Sequence, residues 1–416
     1  MRIGYACLLK GVADTRIKGT IQKNATEERL LEISKYNLNT LIRILKYNAD
    51  NNIKMFRISS DIIPFGSSPV NKLQWDKILV EEFNELKEII IKTGIRLSMH
   101  PGQYTVINSH KVEVVNRAVE DLVYHNRFLD ALQLDASNKI IIHIGGVYGD
   151  KANAIKRFSK SYHALDDSIK KRLVIENDDK SYNIEEVLEI GINNQIPVVF
   201  DNLHHKVNNC PGNDKYWIEL ANKTWKKKDG KQKIHYSQQN ILKNAGAHSE
   251  SIDLVEFKEF LDNQIEFDLD IMLEVKDKNL SAIKTINLLN KKENIKVLEN
   301  EWSRYKYSVL ERAPLNYNAI RELLKDKNSY PVVDFYMLID GALIIKSFKG
   351  NELNALEHVW GYFKDSSNLK EKDDIRKSLI RFKDDKISLK AVKNKLYKLA
   401  VKYNQEYLLE SYYFHI

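Results

Sequence analysis

The chain is poor in the residues that punctuate or cross-link a fold: two cysteines, seven prolines and sixteen glycines in 416 residues. Two thiols as far apart as Cys7 and Cys210 do not make a disulfide framework, so a reducing compartment is the simple expectation. No stretch approaches the ~20 consecutive apolar residues of a transmembrane helix. The opening "MRIGYACLLKG" has an apolar centre too short for a signal peptide, and no cleavage pattern follows it. These absences lead to the expectation of a soluble, cytoplasmic protein without a membrane partner. A glycine-rich phosphate-binding turn is missing as well. The segment after the first apolar run, "CLLKGVAD", is not one, which makes an open doubly wound sheet unattractive.

What is present is charge and a repeating pattern. Lys and Arg outnumber Asp and Glu by 65 to 57, a formal net charge of +8. A basic balance favours a polyanionic partner such as nucleic acid, and a lysine-rich solvated surface explains the same number. The length suits two to three domains, or one large barrel plus an appendage.

Short apolar runs alternate with amphipathic segments. The spacing predicts strands at "RIGYAC", 53–59, 95–100, 139–145, 172–177, 196–201, 232–237 and 267–275. It predicts helices at 24–48, 72–93, 112–134, 151–171, 183–193, 214–224, 252–263 and 281–300. Near-continuous apolar strands, each followed by a helix, imply a parallel sheet covered by helices. Eight such units in about 300 residues fit an α/β fold, a closed (β/α)8 TIM barrel. The alternation stops near residue 300, and 301–416 reads as a separate all-helical domain. Within it "YPVVDFYMLIDGALIIKSF" resembles strands, but Phe335, Leu338, Ile339 and Leu343 with Ile345 fit a buried helix better.

Most strands end on a metal-ligand residue type. They are His100, His143, Glu176, Asp201 with His204 three residues on, Lys233 and His235, and Glu274; His248 lies in the loop after strand seven. In a parallel barrel all C-terminal strand ends meet on one rim, where active sites sit. A lone strand-end histidine is more often a hydrogen-bonded core residue, and a lone glutamate can be a barrel ion pair. Eight coincidences on one rim argue for a metal centre. Imidazole and carboxylate suit Mn, Zn or Fe, and the ligands are too many for one ion, so two or three are implied. Such clusters hydrolyse phosphate esters. His110, His125 and His163 fall in helices or helix starts and read as surface or packing residues. His205 neighbours His204, but the Asp201–His204 spacing is the better one. Lys233 shares a face with His235, and an ammonium there would repel metal. It binds phosphate, is neutralised by covalent modification, or forms an ion pair.

The segments "RIGYAC", "FRISSDIIPF", "LSMHPGQY", "IIHIGGVYGDK", "VIENDDKSYN", "VVFDNLHH", "KIHYS" and "GAHS" together resemble the UV damage endonucleases of bacteria and fungi, relatives of endonuclease IV. The likeness covers about residues 1–290 in order. It implies an enzyme that cuts the DNA backbone immediately 5′ to cyclobutane dimers, 6-4 photoproducts and often abasic sites, leaving a 3′-hydroxyl and a 5′-phosphate. It implies three divalent ions, usually manganese, with zinc, cobalt or magnesium as substitutes. His100, His143 and Glu176 would hold the first. Glu176 would bridge to a second held by Asp201, His235 and Glu274, and His204 and His248 would hold a third. Lys233 matches a carboxylated position; Lys233, Glu176 and His235 are the catalytic candidates.

Gln103 and Tyr104 match a pair that probes the damaged dinucleotide, and Tyr5 a position near the lesion pocket. Lys180 would reach a phosphate or pair with Asp178 or Asp179. The partner implied is double-stranded DNA bearing UV lesions, with no small-molecule cofactor and a monomeric enzyme. One departure stands out: Leu8-Leu9-Lys10 follow Cys7, where family members often carry an asparagine, which puts the substrate range in question. The C-terminal part resembles a helical bacterial domain of unknown function, the YbgA type, through "YKYSVLERAP", "LEHVWGYFK" and "YLLESYYFHI". Its basic character suggests a longer DNA footprint, and a protein-interaction or stabilising role fits equally. The rival readings are an endonuclease IV-like abasic-site nuclease, a sugar isomerase of the same barrel type, and a damage-binding protein with a dead site.

Overall fold

A computed structural model describes residues 1–264 and 268–416. Parallel strands β1 (Arg2–Ala6), β2 (Met55–Ile58), β3 (Arg96–Met99), β4 (Lys139–His143), β5 (Leu173–Glu176), β6 (Val198–Asp201), β7 (Lys233–Tyr236) and β8 (Asp270–Leu273) form a closed barrel in that order. The barrel closes where Gly4 of β1 registers with Met272 of β8 on one side and Met55 of β2 on the other. The strands carry branched or aromatic side chains that are buried on both faces, as a helix-wrapped parallel sheet requires.

Local chemistry sets the wrapping helices. Thr26 caps Glu27–Asp50, accepting from the Arg29 N–H, and Glu27 and Glu28 complement the first turn. Asn183 and Glu186 form a reciprocal capping box at the head of Ile184–Asn194. Two of the predicted helices in the first half of the barrel are broken. The segment 72–93 divides into Trp75–Ile78 and Val80–Thr93 at Leu79, whose φ of −99° and ψ of 36° are not helical. The segment 151–171 divides into Lys151–His163 and Asp167–Arg172, because Asp166 caps a new helix by accepting from the Ser168 N–H. The eighth strand is shorter than 267–275, and Phe267 lies outside the described residues.

The chain divides into two compact units, one containing residues 14–252 and 256–286, the other containing 287–416. This division falls before the boundary expected at 300/301. The predicted helix 281–300 is two helices, Asn279–Leu288 and Ile295–Arg312, and the second runs straight through the expected boundary. Asn294 starts it by accepting from the Lys296 N–H, a cap that marks a new element before residue 300.

The second unit is all-helical, as expected, around Leu356, Val359, Phe363, Val392 and Leu396. Its segment Val332–Leu343 is helical, with Phe335 and Ile339 buried. Ile345 lies beyond that helix and is 38% exposed, so it is not part of the buried face. Among the described residues no helix is long and apolar enough to cross a membrane.

Gly4 is required by closeness. A Cβ there would stand 2.3 Å from the Met55 carbonyl oxygen and 2.7 Å from Met55 Cβ. The replacement Gly4→Ala must push β1 off β2, with an expected loss of about 2 kcal/mol or more. Denaturant unfolding checks this; an unchanged midpoint would contradict the packing described.

Candidate metal centre and lesion loop

Glu176 ends β5 on the barrel axis and is 1% exposed. Four imidazoles stand within 3.9 Å of its carboxylate. His100 Nε2 is 3.2 Å from Oε2 and His143 Nε2 3.9 Å from the same oxygen, while His235 Nδ1 is 2.8 Å and His204 Nδ1 3.7 Å from Oε1. Two ligand groups share Glu176: His100 with His143, and Asp201 with His235. Glu274 joins the edge of the second group, 3.2 Å from His235 Nδ1. His248 Nδ1 is 4.0 Å from the Glu274 carboxylate. The strand-end residues found by spacing thus do converge.

The histidine tautomers say what the cluster is for. His100 Nδ1 lies 3.0 Å from the Pro101 carbonyl, His204 Nδ1 2.8 Å from the Asn177 carbonyl, and His248 Nδ1 2.5 Å from the Glu274 carbonyl. A carbonyl only accepts, so each ring carries its proton on Nδ1. In the neutral ring Nε2 then holds the lone pair, the arrangement of a metal-ligating histidine. For His100, burial lowers the pKa to about 4, so the ring is neutral near pH 7. Its Nε2 lone pair then faces a carboxylate oxygen, which is favourable only with a cation between them. Asp201 Oδ2, His235 Nε2 and His143 Nδ1 are buried without a hydrogen-bond partner. Unpartnered buried polar atoms cost about 1–3 kcal/mol each, and a bound cation relieves that cost for the ligand atoms. The residues fit a divalent metal centre.

The Asp201–His204 spacing has a physical reason. Asp201 Oδ1 accepts the His204 N–H at 2.8 Å and so caps the short helix Asn202–Val207, which sets the His204 ring beside the cluster. His205 turns away and bonds the Gly212 carbonyl at 3.2 Å. Burial would lower the His204 pKa, but Asp201 and Glu176 overrule it and push it up to about 9. Burial would raise the Glu274 carboxyl, but Arg57 foremost holds it well below the usual carboxylate range.

Arg57, on β2, donates from Nη1 to Glu274 Oε1 at 2.5 Å. Sequence reading passed over it, although a charged residue inside "MFRI" was a visible signal. Two asparagines were missed as well. Asn177 exchanges hydrogen bonds with the Asp201 backbone at 3.0 and 2.9 Å, and Asn202 does the same with the Ser237 backbone. These amides extend the β5–β6 and β6–β7 ladders past the strand ends. Their signal was the Asn that follows each carboxylate in "IEN" and "FDN".

Lys233 is fully buried, and its Nζ has no hydrogen-bond partner. Burial, reinforced by Arg96, holds its pKa well below the usual lysine value. Among the described residues no carboxylate hydrogen-bonds to Nζ, and Asp270 acts on it only at a distance, which disfavours the ion-pair reading.

Gln103 and Tyr104 are exposed, Tyr104 by 70%, on the loop that follows β3. The tyrosine ring lies over Gly102, where a Cβ would come within 2.4 Å of it. Behind the tip, the Thr105 hydroxyl donates to Asp121 Oδ2 at 2.6 Å. The Asp121 carbonyl accepts from His125 Nδ1 at 2.6 Å, His125 Nε2 meets Ser60 Oγ at 2.9 Å, and Ser60 Oγ donates to the His100 carbonyl at 3.0 Å. His125 is a buried member of this chain from loop to ligand.

Lys180 is exposed, with its backbone N–H on Asp178 Oδ1. Tyr5 requires correction. It is 0% exposed and its hydroxyl donates to Asn48 Oδ1 at 2.8 Å, so it packs between barrel and helix and cannot touch a lesion. Beyond Cys7, Leu8 is 43% exposed and Leu9 is buried.

A parallel barrel carrying at its C-terminal mouth a histidine–carboxylate cluster able to hold metal ions is the architecture of a barrel enzyme. The family model described as UV-endonuclease UvdE matches residues 2–306, and that described as protein of unknown function (DUF1722) matches 306–416. The chain belongs to the UV-endonuclease UvdE family. It is 43% identical over 352 residues to a UV DNA damage endonuclease of Clostridium perfringens, covering 83% of this chain and 84% of that one. A UV DNA damage endonuclease of Bacillus cereus is 34% identical over 306 residues, covering 71% of this chain and 96% of that one. The crystal structure of SacUVDE superposes with a TM-score of 0.67 at 37% identity, over 70% of this chain and 98% of that one.

Two outcomes follow from the geometry. A divalent metal bound at His204 would have to displace the proton that the ring holds up to about pH 9, so Mn2+ affinity should rise by about tenfold per pH unit between pH 7 and 9 and then flatten. Calorimetric titration reads the slope, and a pH-independent affinity would refute either the raised pKa of His204 or its part in binding the metal. Separately, Thr105→Val keeps the volume but removes a buried bond to a carboxylate. The expected loss is about 2 kcal/mol of stability, with faster amide exchange confined to residues 102–106.

Proposed function

We propose that this protein is a metal-dependent DNA endonuclease that hydrolyses the phosphodiester immediately 5′ to a UV photoproduct, leaving a 3′-hydroxyl and a 5′-phosphate. The observation that carries the reading is the set of rim histidines that hand Nδ1–H to backbone carbonyls around the buried Glu176. That arrangement serves cations, in a family of UV endonucleases. A phosphoester hydrolase on this family's barrel initiates excision repair of UV-damaged DNA. Cyclobutane dimers and 6-4 photoproducts are the substrates, and abasic sites are a further one.

His100, His143 and Glu176 would hold one divalent ion; Glu176, Asp201, His235 and Glu274 a second; His204 and His248 a third. Manganese is the expected metal. Bound there, divalent ions supply Lewis acidity, which activates water near neutral pH and neutralises phosphoryl charge. Glu176 offers both carboxylate oxygens to the cluster, which sets the spacing of the two groups that share it. Asp201 uses one oxygen to hold His204 and leaves the other for the cluster. Gln103 and Tyr104 enter the duplex where lesion stacking is already weak, so extrusion costs less than at intact DNA. Lys180, exposed on the loop after β5, reaches a backbone phosphate.

Lys233 is carboxylated in this reading. Only a neutral amine attacks CO2, and burial keeps this one neutral. The Nζ–C bond forms, one proton leaves to solvent, and an anionic carbamate replaces an amine on which Arg96, Arg57 and Lys139 act against a single carboxylate, Asp270.

The test is nicking of a duplex with one defined thymine dimer, set against the same duplex with an abasic site, in Mn2+. Wild type should cut 5′ to the dimer, and Glu176→Gln should lose about 100-fold or more in kcat/KM. Gln103→Ala/Tyr104→Ala should erase most of the preference for damaged over intact DNA. Cutting at the abasic site alone would replace the reading with that of an abasic-site nuclease.

A further inference from the structure

The chain between β7 and His248 rises from the metal rim and returns to it. At its tip Ile241 is 91% and Leu242 89% exposed. Single exposed apolar residues are ordinary, but two adjacent branched ones left wholly in water suggest a surface kept for contact. The loop is not slack. The Asn240 N–H bonds the Ala247 carbonyl at 2.7 Å, and Asn240 Oδ1 accepts the Leu242 N–H at 3.0 Å. Gln239 Oε1 accepts the Gly246 N–H at 2.8 Å, and Gln239 Nε2 donates to the carbonyls of Asn240 and Asn244. The feet are pinned by the Gln239–His248 bridge and by the Ser249 N–H on the Gln238 carbonyl at 2.8 Å. The backbone is satisfied from within, so the apolar pair is held out rather than left to collapse onto the protein.

Topology places this tip. Strands β3 and β7 are four apart in a closed ring of eight. The loops that leave their C-terminal ends therefore stand on opposite sides of the barrel mouth, with the Glu176 cluster between them. A duplex seated on the cluster meets Tyr104 on one side and Ile241–Leu242 on the other. Lys243, beside the tip, is paired with Glu250 at 3.1 Å, so the tip's own offering is apolar. Branched apolar side chains that meet DNA part base steps rather than read base edges.

We propose that Ile241 and Leu242 form a second wedge, which enters the duplex opposite the Gln103–Tyr104 loop and unstacks the bases beside the lesion. This rests on the reading of the protein as an endonuclease for UV-damaged DNA. It adds the contact that makes recognition two-sided.

The test uses the full chain in Mn2+ and a duplex carrying one thymine dimer, with 2-aminopurine in the opposite strand next to the lesion. Fluorescence is recorded before turnover, and nicking afterwards. Ile241→Ser/Leu242→Ser removes no buried contact, so folding should be preserved. The pair should bind the duplex about tenfold more weakly and lose most of the fluorescence rise. Ile241→Val/Leu242→Met should restore both. On a duplex whose bases opposite the dimer are already mismatched, the defect of the serine pair should shrink to within about twofold, since unstacking there is cheap. A serine pair that binds and unstacks like wild type overturns the wedge, as does one equally impaired on paired and mismatched duplexes. Wild type that unstacks the dimer without nicking refutes the endonuclease reading and leaves the wedge standing. Nicking with an unaffected serine pair refutes the wedge alone.

Discussion

A carboxylate buried at the mouth of the barrel, ringed by imidazoles, is the constraint on which the rest of the site depends. Among the described residues, the basic side chains in contact with the Glu176 carboxylate are His100, His143, His204 and His235. Burial would raise the Glu176 carboxyl, but His235 and His143 foremost hold it well below the usual carboxylate range. The surroundings respond in consistent ways. His204 is driven to keep a proton to about pH 9, and Glu274 is held ionised by Arg57. In a metal-filled centre the cations take over this work. The site is charged in advance for them.

Around that hub the backbone is stiffened where strand hydrogen bonding stops. Asn177 and Asn202 carry the ladder beyond β5 and β6 with side-chain amides. Carbonyls of Pro101, Asn177 and Glu274 orient three histidines. The chain from Thr105 through Asp121, His125 and Ser60 to the His100 carbonyl ties the Gln103–Tyr104 loop to the strand end that carries His100. The Gln-Tyr tip and the first ligand are thereby held by one polar network, although Pro101-Gly102 separate them in the chain.

The barrel and most of the residues clustered at its mouth were legible because both follow from short-range pattern. Apolar runs alternating with amphipathic helices prescribe a parallel sheet, and parallel strands bring all their C-terminal ends to one rim. His100, His143, Glu176, Asp201, His235 and Glu274 were found that way. Residues that act through others were not. Arg57 and Asn177 serve partners more than twenty positions away, and nothing in their neighbours says so. Tyr5 misled because its position in a rim strand says nothing about which face it takes; here it faces Asn48. Near residue 300 the alternation of strand and helix stops inside a capped helix that starts at Ile295, so the pattern alone marks no sharp boundary there.

The amino-acid sequence by itself determined the element types, the closed barrel, the family and the ligand chemistry, since each depends on spacing and residue type along the chain. Tertiary structure alone decided the tautomers, the raised pKa of His204, the burial of Lys233 and Tyr5, and the facing of the β3 and β7 loops across the mouth. These depend on distances between segments far apart in sequence. Electrostatic and hydrogen-bond energies change steeply over an ångström or two, whereas hydrophobic periodicity survives errors of that size.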